Sequence, residues 1–406
     1  MQAILLLLIP FFVFASDGQF TPSEHSSIEY ANHRPMDFDI FLKTALISNP
    51  YLKASKTNLE RAKLEGSIEE RYQNPTLELE TSSFSPDAGA NKNGYRASLT
   101  QPLRLWGVGD AKYEYANAIT QEAEATHSLQ KAEFIRNLSL LYVEYVRSNS
   151  YEELAAEEIA LAQKIHDIST ARFTAGTIPR AKLLQSKIDY KSAQNRYEQS
   201  KLQSYRNFIE LLKMAGIKEE LELSTAYTFK LKNPALTLSP DALIWQRRTD
   251  TSLAMQKVNE NTLEWIDLFA GFEKEPDQDI ARIGVSIPLT LFNDKSQESQ
   301  ISKIQTDQAV LMKQSMLTQQ DIEKKYFNKE NQQLQRLYKS TQKVLISELE
   351  LLNMFEESYK IANINLLEVQ DIKNRVITTK RGLIDLFTRM QSNTINQNYL
   401  QGAYNE

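Results

Sequence analysis

A chain of 406 residues with only 12 glycines and 12 prolines has little turn material for two or three separate cores, so its elements must be long. It contains no cysteine, which excludes a disulfide framework, a thiolate metal site and the thiol on which a bacterial lipid anchor is built. The formal charge of −5 carries no basic block, so the electrostatic footprint of a nucleic-acid-binding protein is missing and a solvated mixed-charge surface is expected.

At the start, residues 3–14 form an apolar run of about twelve, too short to span a bilayer, followed by the small-residue pattern Val13 and Ala15 ahead of Ser16. This reads as a secretory signal over 1–15, although no Lys or Arg precedes the run. An N-terminal extension covers 16–36. Beyond it no stretch reaches the roughly 20 apolar residues of a membrane helix, so entry into a membrane would have to be made by strands.

A first unit is expected over 37–213. It opens on an apolar-periodic stretch around Asn49-Pro50-Tyr51-Leu52. Next comes a hairpin at about 76–103, in which Leu77, Leu79, Tyr95, Ala97 and Leu99 alternate with Glu78, Glu80, Arg96, Ser98 and Thr100 across the turn-rich residues 85–94. A helical hairpin follows over 108–213. Its first arm holds no proline from 108 to 174 and repeats Ala111, Tyr115, Ala118, Ala125, Leu129, Ala132, Ile135 and Leu138 at three and four spacing. At 1.5 Å per residue that arm reaches on the order of 100 Å, and the rhythm is that of a coiled-coil seam. The turn is set near Gly176, where a positive φ costs little.

Residues 214–240 read as a linker, with prolines at 234 and 240. A second unit over 241–403 then repeats the first. The octet Leu99-Thr100-Gln101-Pro102-Leu103-Arg104-Leu105-Trp106 is echoed by Val285-Ser286-Ile287-Pro288-Leu289-Thr290-Leu291-Phe292, and Arg96 by Arg282. Its hairpin is expected at about 264–291, with Ile266, Leu268, Ala270 and Phe272 alternating with Trp265, Asp267 and Phe269. Its helical hairpin is expected over 295–403. Aligning the two helical turns without a gap sets Arg172 against Arg375, Gly176 against Thr379, Lys182 against Asp385, and Leu183-Leu184 against Leu386-Phe387, which places the second turn near Thr379. Because Thr379 lacks the freedom of Gly176, the two turns should differ in geometry.

Helices of this kind are open to two readings, a plain antiparallel coiled-coil spacer or the wall of a cavity. The strands are equally double: two surface hairpins packed on a helical body, or an open sheet that other copies complete. Four strands cannot close a barrel and an open edge is not tolerated in lipid, whereas three copies would supply twelve strands. In that arrangement Glu78, Glu80, Arg96, Asp267 and Arg282 face a wet lumen. Catalytic chemistry finds no support. His25, His33, His127 and His166 are scattered, and Gly107-Val108-Gly109 is a strand-to-helix joint lacking the lysine of a phosphate cradle. No catalytic residue, metal or cofactor is expected.

In these motifs and their order, taken twice, the chain resembles the TolC-like outer membrane efflux protein family. The carriers are Asn49-Pro50-Tyr51-Leu52, Asn74-Pro75, the two strand exits Gln101-Pro102-Leu103 and Ile287-Pro288-Leu289-Thr290-Leu291-Phe292, and Ala175-Gly176-Thr177-Ile178-Pro179 with Leu183-Leu184-Gln185. The resemblance implies a mainly α fold with β, built from a duplicated helix, β-hairpin, long helix and helix unit. It further implies a homotrimer in which a twelve-stranded outer-membrane β-barrel continues into a periplasmic α-barrel. The implied role is the exit duct of a tripartite efflux system in a Gram-negative outer membrane. Its partners would be outer-membrane lipid, a periplasmic adaptor (membrane fusion) protein and an inner-membrane pump, possible types including resistance-nodulation-division. Heavy-metal cations and drugs are the implied cargo. A duct for type I protein secretion is an alternative, and a periplasmic adaptor or scaffold coiled coil another.

The resemblance also places an aspartate just beyond the second turn, which maps onto Asp385 with Arg381 as its basic partner; a further aspartate of some members is Thr388 here. With Lys182, Asp385 would alternate around the mouth as a charge-tuned gate, or both would be solvated helix-end charges. Adaptor docking is expected around Arg172, Leu183, Leu184, Arg375, Leu386 and Phe387.

Overall fold

The computed structural model describes residues 35–85, 91–219, 221–232, 238–361 and 363–405. The expected signal and nearly all of the N-terminal extension lie outside the described residues. From Met36 onward the chain forms one unit.

It begins with helix α1 (Phe38–Ser48) and helix α2 (Pro50–Glu69). Asn49 ends the first and caps the second: its Oδ1 accepts from the amides of Tyr51 at 2.8 Å and Leu52 at 3.2 Å. Pro50, which has no N–H to lose, fills the first helical position. The Asn-Pro-Tyr-Leu motif is therefore a helix break with an immediate restart.

Strands β1 (Thr76–Phe84) and β2 (Lys92–Arg104) form the first hairpin, and helix α3 (Val108–Thr174) runs 67 residues from it to the turn before α4 (Arg180–Ala215). After the linker come α5 (Pro240–Glu260), β3 (Trp265–Lys274), β4 (Asp279–Ser286), the 65-residue α6 (Ser296–Lys360) and α7 (Leu366–Leu400). The four strands make one antiparallel sheet in the order β1-β2-β3-β4, so β1 and β4 are its two edges.

The duplication is metrically strict after each hairpin loop. Leu99 and Val285 are 186 residues apart; so are Thr174 and Lys360, which end the long helices, and Arg180 and Leu366, which begin the returning ones. Gly216 and Gly402, at φ +73° and +74°, terminate the returning helices with the same spacing, each in the left-handed conformation that glycine adopts cheaply.

This spacing corrects the position of the second turn. It lies after Lys360 and before Leu366, and Thr379 sits inside α7. The break is made by Asn365, whose Oδ1 accepts from the amides of Leu367 at 2.8 Å and Glu368 at 3.2 Å. The run Thr379-Lys380-Arg381-Gly382 mimics a turn in composition. Gly382 has open space around it, however, and one glycine in a 35-residue helix costs only about 1 kcal/mol. The gapless alignment of Gly176 with Thr379 is out of frame with the 186-residue spacing of the helix ends.

Midway along the helices, Phe38, Phe41, Leu52, Phe134, Leu138, Tyr142, Leu211 and Leu212 form the main core. The Phe38 and Tyr142 rings lie 4.5 Å apart, and the Tyr142 hydroxyl donates to the Ser224 carbonyl at 2.6 Å. Residues 221–232 are tied to this level. Asn398 accepts from the Lys232 amide at 2.8 Å and donates to the Lys230 carbonyl at 3.0 Å, and Gln391 takes the Phe229 amide. On the sheet side of the core α3 packs between α2 and α5, and α5 against α6; on the other side α3 packs on α4 and α7, and α6 on α7.

Candidate channel wall and helical tips

The sheet has two unlike faces. Along β2, Tyr95, Leu99 and Leu103 point to one side, where Leu77 and Leu79 of β1, Leu268 and Phe272 of β3, and Ile283 and Val285 of β4 join them. All of these are exposed, Leu79 at 72% and Ile283 at 82%. Among the described residues no helix packs across this face of the sheet. Large apolar side chains left uncovered across four strands form a surface that water would not select.

The opposite face carries the charges. Arg96 stands opposite Glu80 on one side and Glu273 on the other in the strand register. Its guanidinium reaches Glu80 at 3.4 Å, and Arg282 pairs with the same Glu273. Ser98 donates to Glu78 at 3.2 Å, and Asp267 lies between Pro102 and Ser286. Thus Glu78, Glu80, Arg96, Asp267 and Arg282 share one side of the sheet. The pattern also carries Glu273, the central link, which sequence reasoning passed over although it continues the alternation from Asp267. A Cβ at Gly284 would meet the Phe269 ring at 2.5 Å: the ring lies across the glycine on this face.

At the sheet-to-helix joint Arg104 is a bracket. It donates to the Glu70 carbonyl at 3.1 Å and the Arg71 carbonyl at 2.5 Å, satisfying the end of α2, and lies 4.8 Å from both the Tyr72 and Trp265 ring centres.

At the far end of the long helices the first tip turns through Gly176 at φ +71°, with the Gly176 and Thr177 amides bonded to the Phe173 and Arg172 carbonyls, both at 2.9 Å. Arg172 ties the two tips together. It donates to the Tyr359 carbonyl at 3.0 Å and stacks over that ring at 4.5 Å, while the Tyr359 hydroxyl meets Ser169 at 2.9 Å. Tyr359 belongs to the apolar rhythm of the second long helix, and the 186-residue spacing pairs it with Phe173. Lys182 stands in the first turn of α4 with Leu183 and the exposed Leu184 close behind. Across the repeat its counterpart is Glu368, in the first turn of α7.

Asp385, Arg381 and Thr388 are not at a tip. Asp385 lies 19 residues into α7 from Leu366, about 28 Å along the axis. It binds α3, accepting from Arg147 at 3.0 Å and from the Tyr151 hydroxyl at 2.5 Å. Arg381 does come near it, 5.7 Å from the Tyr151 ring centre, so the two expected partners share one cluster, but the cluster joins helix to helix. Burial, reinforced by the Asp385 carboxylate, pushes the Tyr151 phenol up and keeps it a donor. Thr388 is buried. Arg375, paired with the buried Glu348 at 3.5 Å, and Leu386 and Phe387 lie along α7 for the same reason. Within the chain, Lys182 stands beside the first turn whereas Asp385 lies inside α7, so the two do not occupy equivalent positions at the tips.

Further contacts join the two helical hairpins on this side. Lys373, wholly buried, donates to Asp189 at 2.6 Å, Gln185 to Gln370 at 3.1 Å, and Lys164 and Lys380 pair with Glu356 and Glu157. No cluster of metal-ligating side chains occurs among the described residues, and no described helix is long and apolar enough to cross a membrane.

Residues 41–217, nearly the whole first repeat, match the outer membrane efflux protein family, which bears out the resemblance read from the motifs. No curated protein matches the chain. Solved structures of the same fold include CusC, described for conformational changes accompanying folding and transmembrane channel formation, at 16% identity over 90% of this chain and 91% of that one, with a TM-score of 0.73. The Campylobacter jejuni CmeC outer membrane channel is 16% identical over 90% and 85%, TM-score 0.72. The Vibrio cholerae outer membrane protein VceC is 16% identical over 90% and 95%, TM-score 0.74. The likeness extends the shared fold through the second repeat.

Proposed function

We propose that this chain, a member of the outer membrane efflux protein family, assembles with two further copies into the exit duct of a tripartite efflux system. The observation that carries the reading is the open four-stranded sheet, uncovered and apolar on one face and charged on the other. β1, at nine residues, is about 30 Å long and, at the usual tilt near 40°, about 23 Å tall, close to the height of an outer-membrane apolar band. Three copies give twelve strands, lipid outside and the Glu80, Arg96, Glu273 and Arg282 network in a wet lumen.

Below the sheet, the long helices of the copies would enclose the tunnel through the periplasm. Transport is passive here: no group of the chain needs to do chemistry, and the driving force and choice of cargo, heavy-metal cations or drugs among them, belong to an inner-membrane pump of the resistance-nodulation-division type. A periplasmic adaptor would meet the tips, where Phe173, Leu184, Ile361 and Leu367 are exposed beside Arg172, Leu183, Lys182 and Glu368. Replacing Leu184 and Leu367 by Asp, with outer-membrane assembly unchanged, is expected to abolish export while the purified duct still conducts in a planar bilayer. Undiminished export by that variant would remove the tips from the proposal, and a soluble, non-conducting protein would remove the duct.

A further inference from the structure

Resting on the proposal that several copies complete the sheet, we infer the strand register between one copy and the next. β4 of one copy pairs antiparallel with the partner's β1 so that Val285 stands opposite the partner's Leu79, Ile287 opposite the partner's Leu77, and Ile283 opposite the partner's Thr81.

The derivation uses only the internal duplication. β2 and β4 are counterparts 186 residues apart, Leu99 matching Val285 and Ala97 matching Ile283. Within one chain Leu79 pairs with Ala97 as Ala270 pairs with Ile283, so Leu79 and Ala270 are counterparts in β1 and β3. At the one junction between repeats that the chain contains, β2 to β3, Leu99 pairs with Ala270 and Gln101 with Leu268. Closing the sheet with the same junction replaces each residue by its counterpart, and Leu99 with Ala270 becomes Val285 with Leu79.

Three features are consistent with this register. The outward residues of β4 meet outward residues of β1, and on the other face Ser286 and Gly284 meet Glu78 and Glu80. A slip by one residue would set Val285 against a glutamate and turn one of the strands inside out. Pro288 falls where Pro102 stands in β2, opposite Asp267, a position that already tolerates a missing N–H. Residues 287–290, outside β4 in a single chain, correspond to 101–104, which β3 holds in the ladder; they lack only the neighbouring strand.

The helices carry the same junction independently. α6 exposes Ile301, Ile304 and Leu311, the counterparts of Tyr115, Ala118 and Ala125 on α3. Ala118 is buried where α3 meets α5, its carbonyl accepting from Thr251 at 3.2 Å. α2, which begins with a capped proline as α5 does, exposes Leu64 and Ile68 where α5 buries Ala254 and Val258. Thus the bare stripe on α6 and the bare stripe on α2 are the two halves of a repeat of the α3 to α5 contact.

The natural absence of cysteine makes the test clean. The full chain would carry Leu79→Cys with Val285→Cys, Leu77→Cys with Ile287→Cys, or the offset pair Leu77→Cys with Val285→Cys, beside the four single variants. Each is oxidised in isolated outer membranes and run denatured without reductant. Facing pairs fall within the Cα separation a disulfide needs, whereas the offset pair lies at about 7–8 Å, beyond it. The two facing pairs are expected to give covalent multimers at least tenfold above the offset pair. Preferential linking of the offset pair, or no linking in a protein that still runs as a multimer in mild detergent, overturns the register and leaves the assembly standing. A chain that runs as a single copy in mild detergent overturns the assembly itself.

Discussion

Asp189 and Lys373 should respond unequally to loss of charge. The Lys373 side chain is 0% exposed and Asp189 19%, with 2.6 Å between Nζ and Oδ2, and the pair joins α4 to α7. Asp189→Ala strands an ammonium where water does not reach, the situation in which breaking a buried pair costs about 3–5 kcal/mol. Lys373→Met fills nearly the same volume without the charge and leaves a carboxylate at a position already part wet, at a cost below about 1.5 kcal/mol. The difference, of order 3 kcal/mol, corresponds to roughly a hundredfold in the local opening equilibrium. Amide hydrogen exchange of the assembled protein in detergent, followed on peptides spanning 183–193 and 369–377, reads it. Exchange at least about a hundredfold faster than the parent is expected for Asp189→Ala, and within about tenfold of the parent for Lys373→Met. Equal effects, or the reverse order, would refute the assignment of Lys373 as a dry cation held by one carboxylate.

Other perturbations follow from the same geometry. Leu79→Arg puts a charge on the exposed apolar face, worth about 2–4 kcal/mol against insertion at mid-membrane; the outer-membrane fraction should drop at least tenfold, while Glu80→Gln on the other face stays near the parent. Gly216→Ala combines φ +73° with a Cβ 3.2 Å from the Pro50 ring, and should lower the unfolding temperature by more than the same change at Gly382, a helical site with open space. Burial, with Lys131 and Lys56 adding, holds His127 below its ordinary pKa beside the Ser55 hydroxyl at 2.7 Å. Because the unfolded chain then binds the proton more readily, the stability His127 lends is full above about pH 6.5 and is lost as pH falls through its lower folded value. Melting curves from pH 8 to 5 should flatten in His127→Gln. Asp385→Ala should leave single-channel conductance and cation preference unchanged, whereas Arg172→Ala, which releases Tyr359, should raise open probability.

Strand pattern and helix ends differ in how plainly they are written. In the hairpins each residue type reports its side of the sheet, so Leu77, Leu79 and Leu99 could be separated from Glu78, Glu80 and Arg96 by alternation alone, and the family motifs at Asn49 and Gly176 mark real breaks. The second tip was hidden because a helical hairpin keeps one periodicity through both arms, and its turn, Asn363-Ile364-Asn365, holds neither glycine nor proline. The gapless alignment with Gly176 points to Thr379, inside α7, rather than to Asn365, at its cap; only the spacing of 186 residues decides between them. Asp385 shows the consequence. Resemblance marked it as special, and it does have special partners, but Arg147 and Tyr151 are on another helix more than 230 residues away in sequence, a pairing that no local pattern announces.

The central claim, that the chain works only as one part of a closed wall in the outer membrane, is tested most directly by the mass of the particle extracted from that membrane in mild detergent. Native mass measurement should give three copies, with no single-copy species among the water-soluble periplasmic proteins. A soluble single copy, its Leu79 and Val285 face untouched by lipid or by another chain, would contradict it.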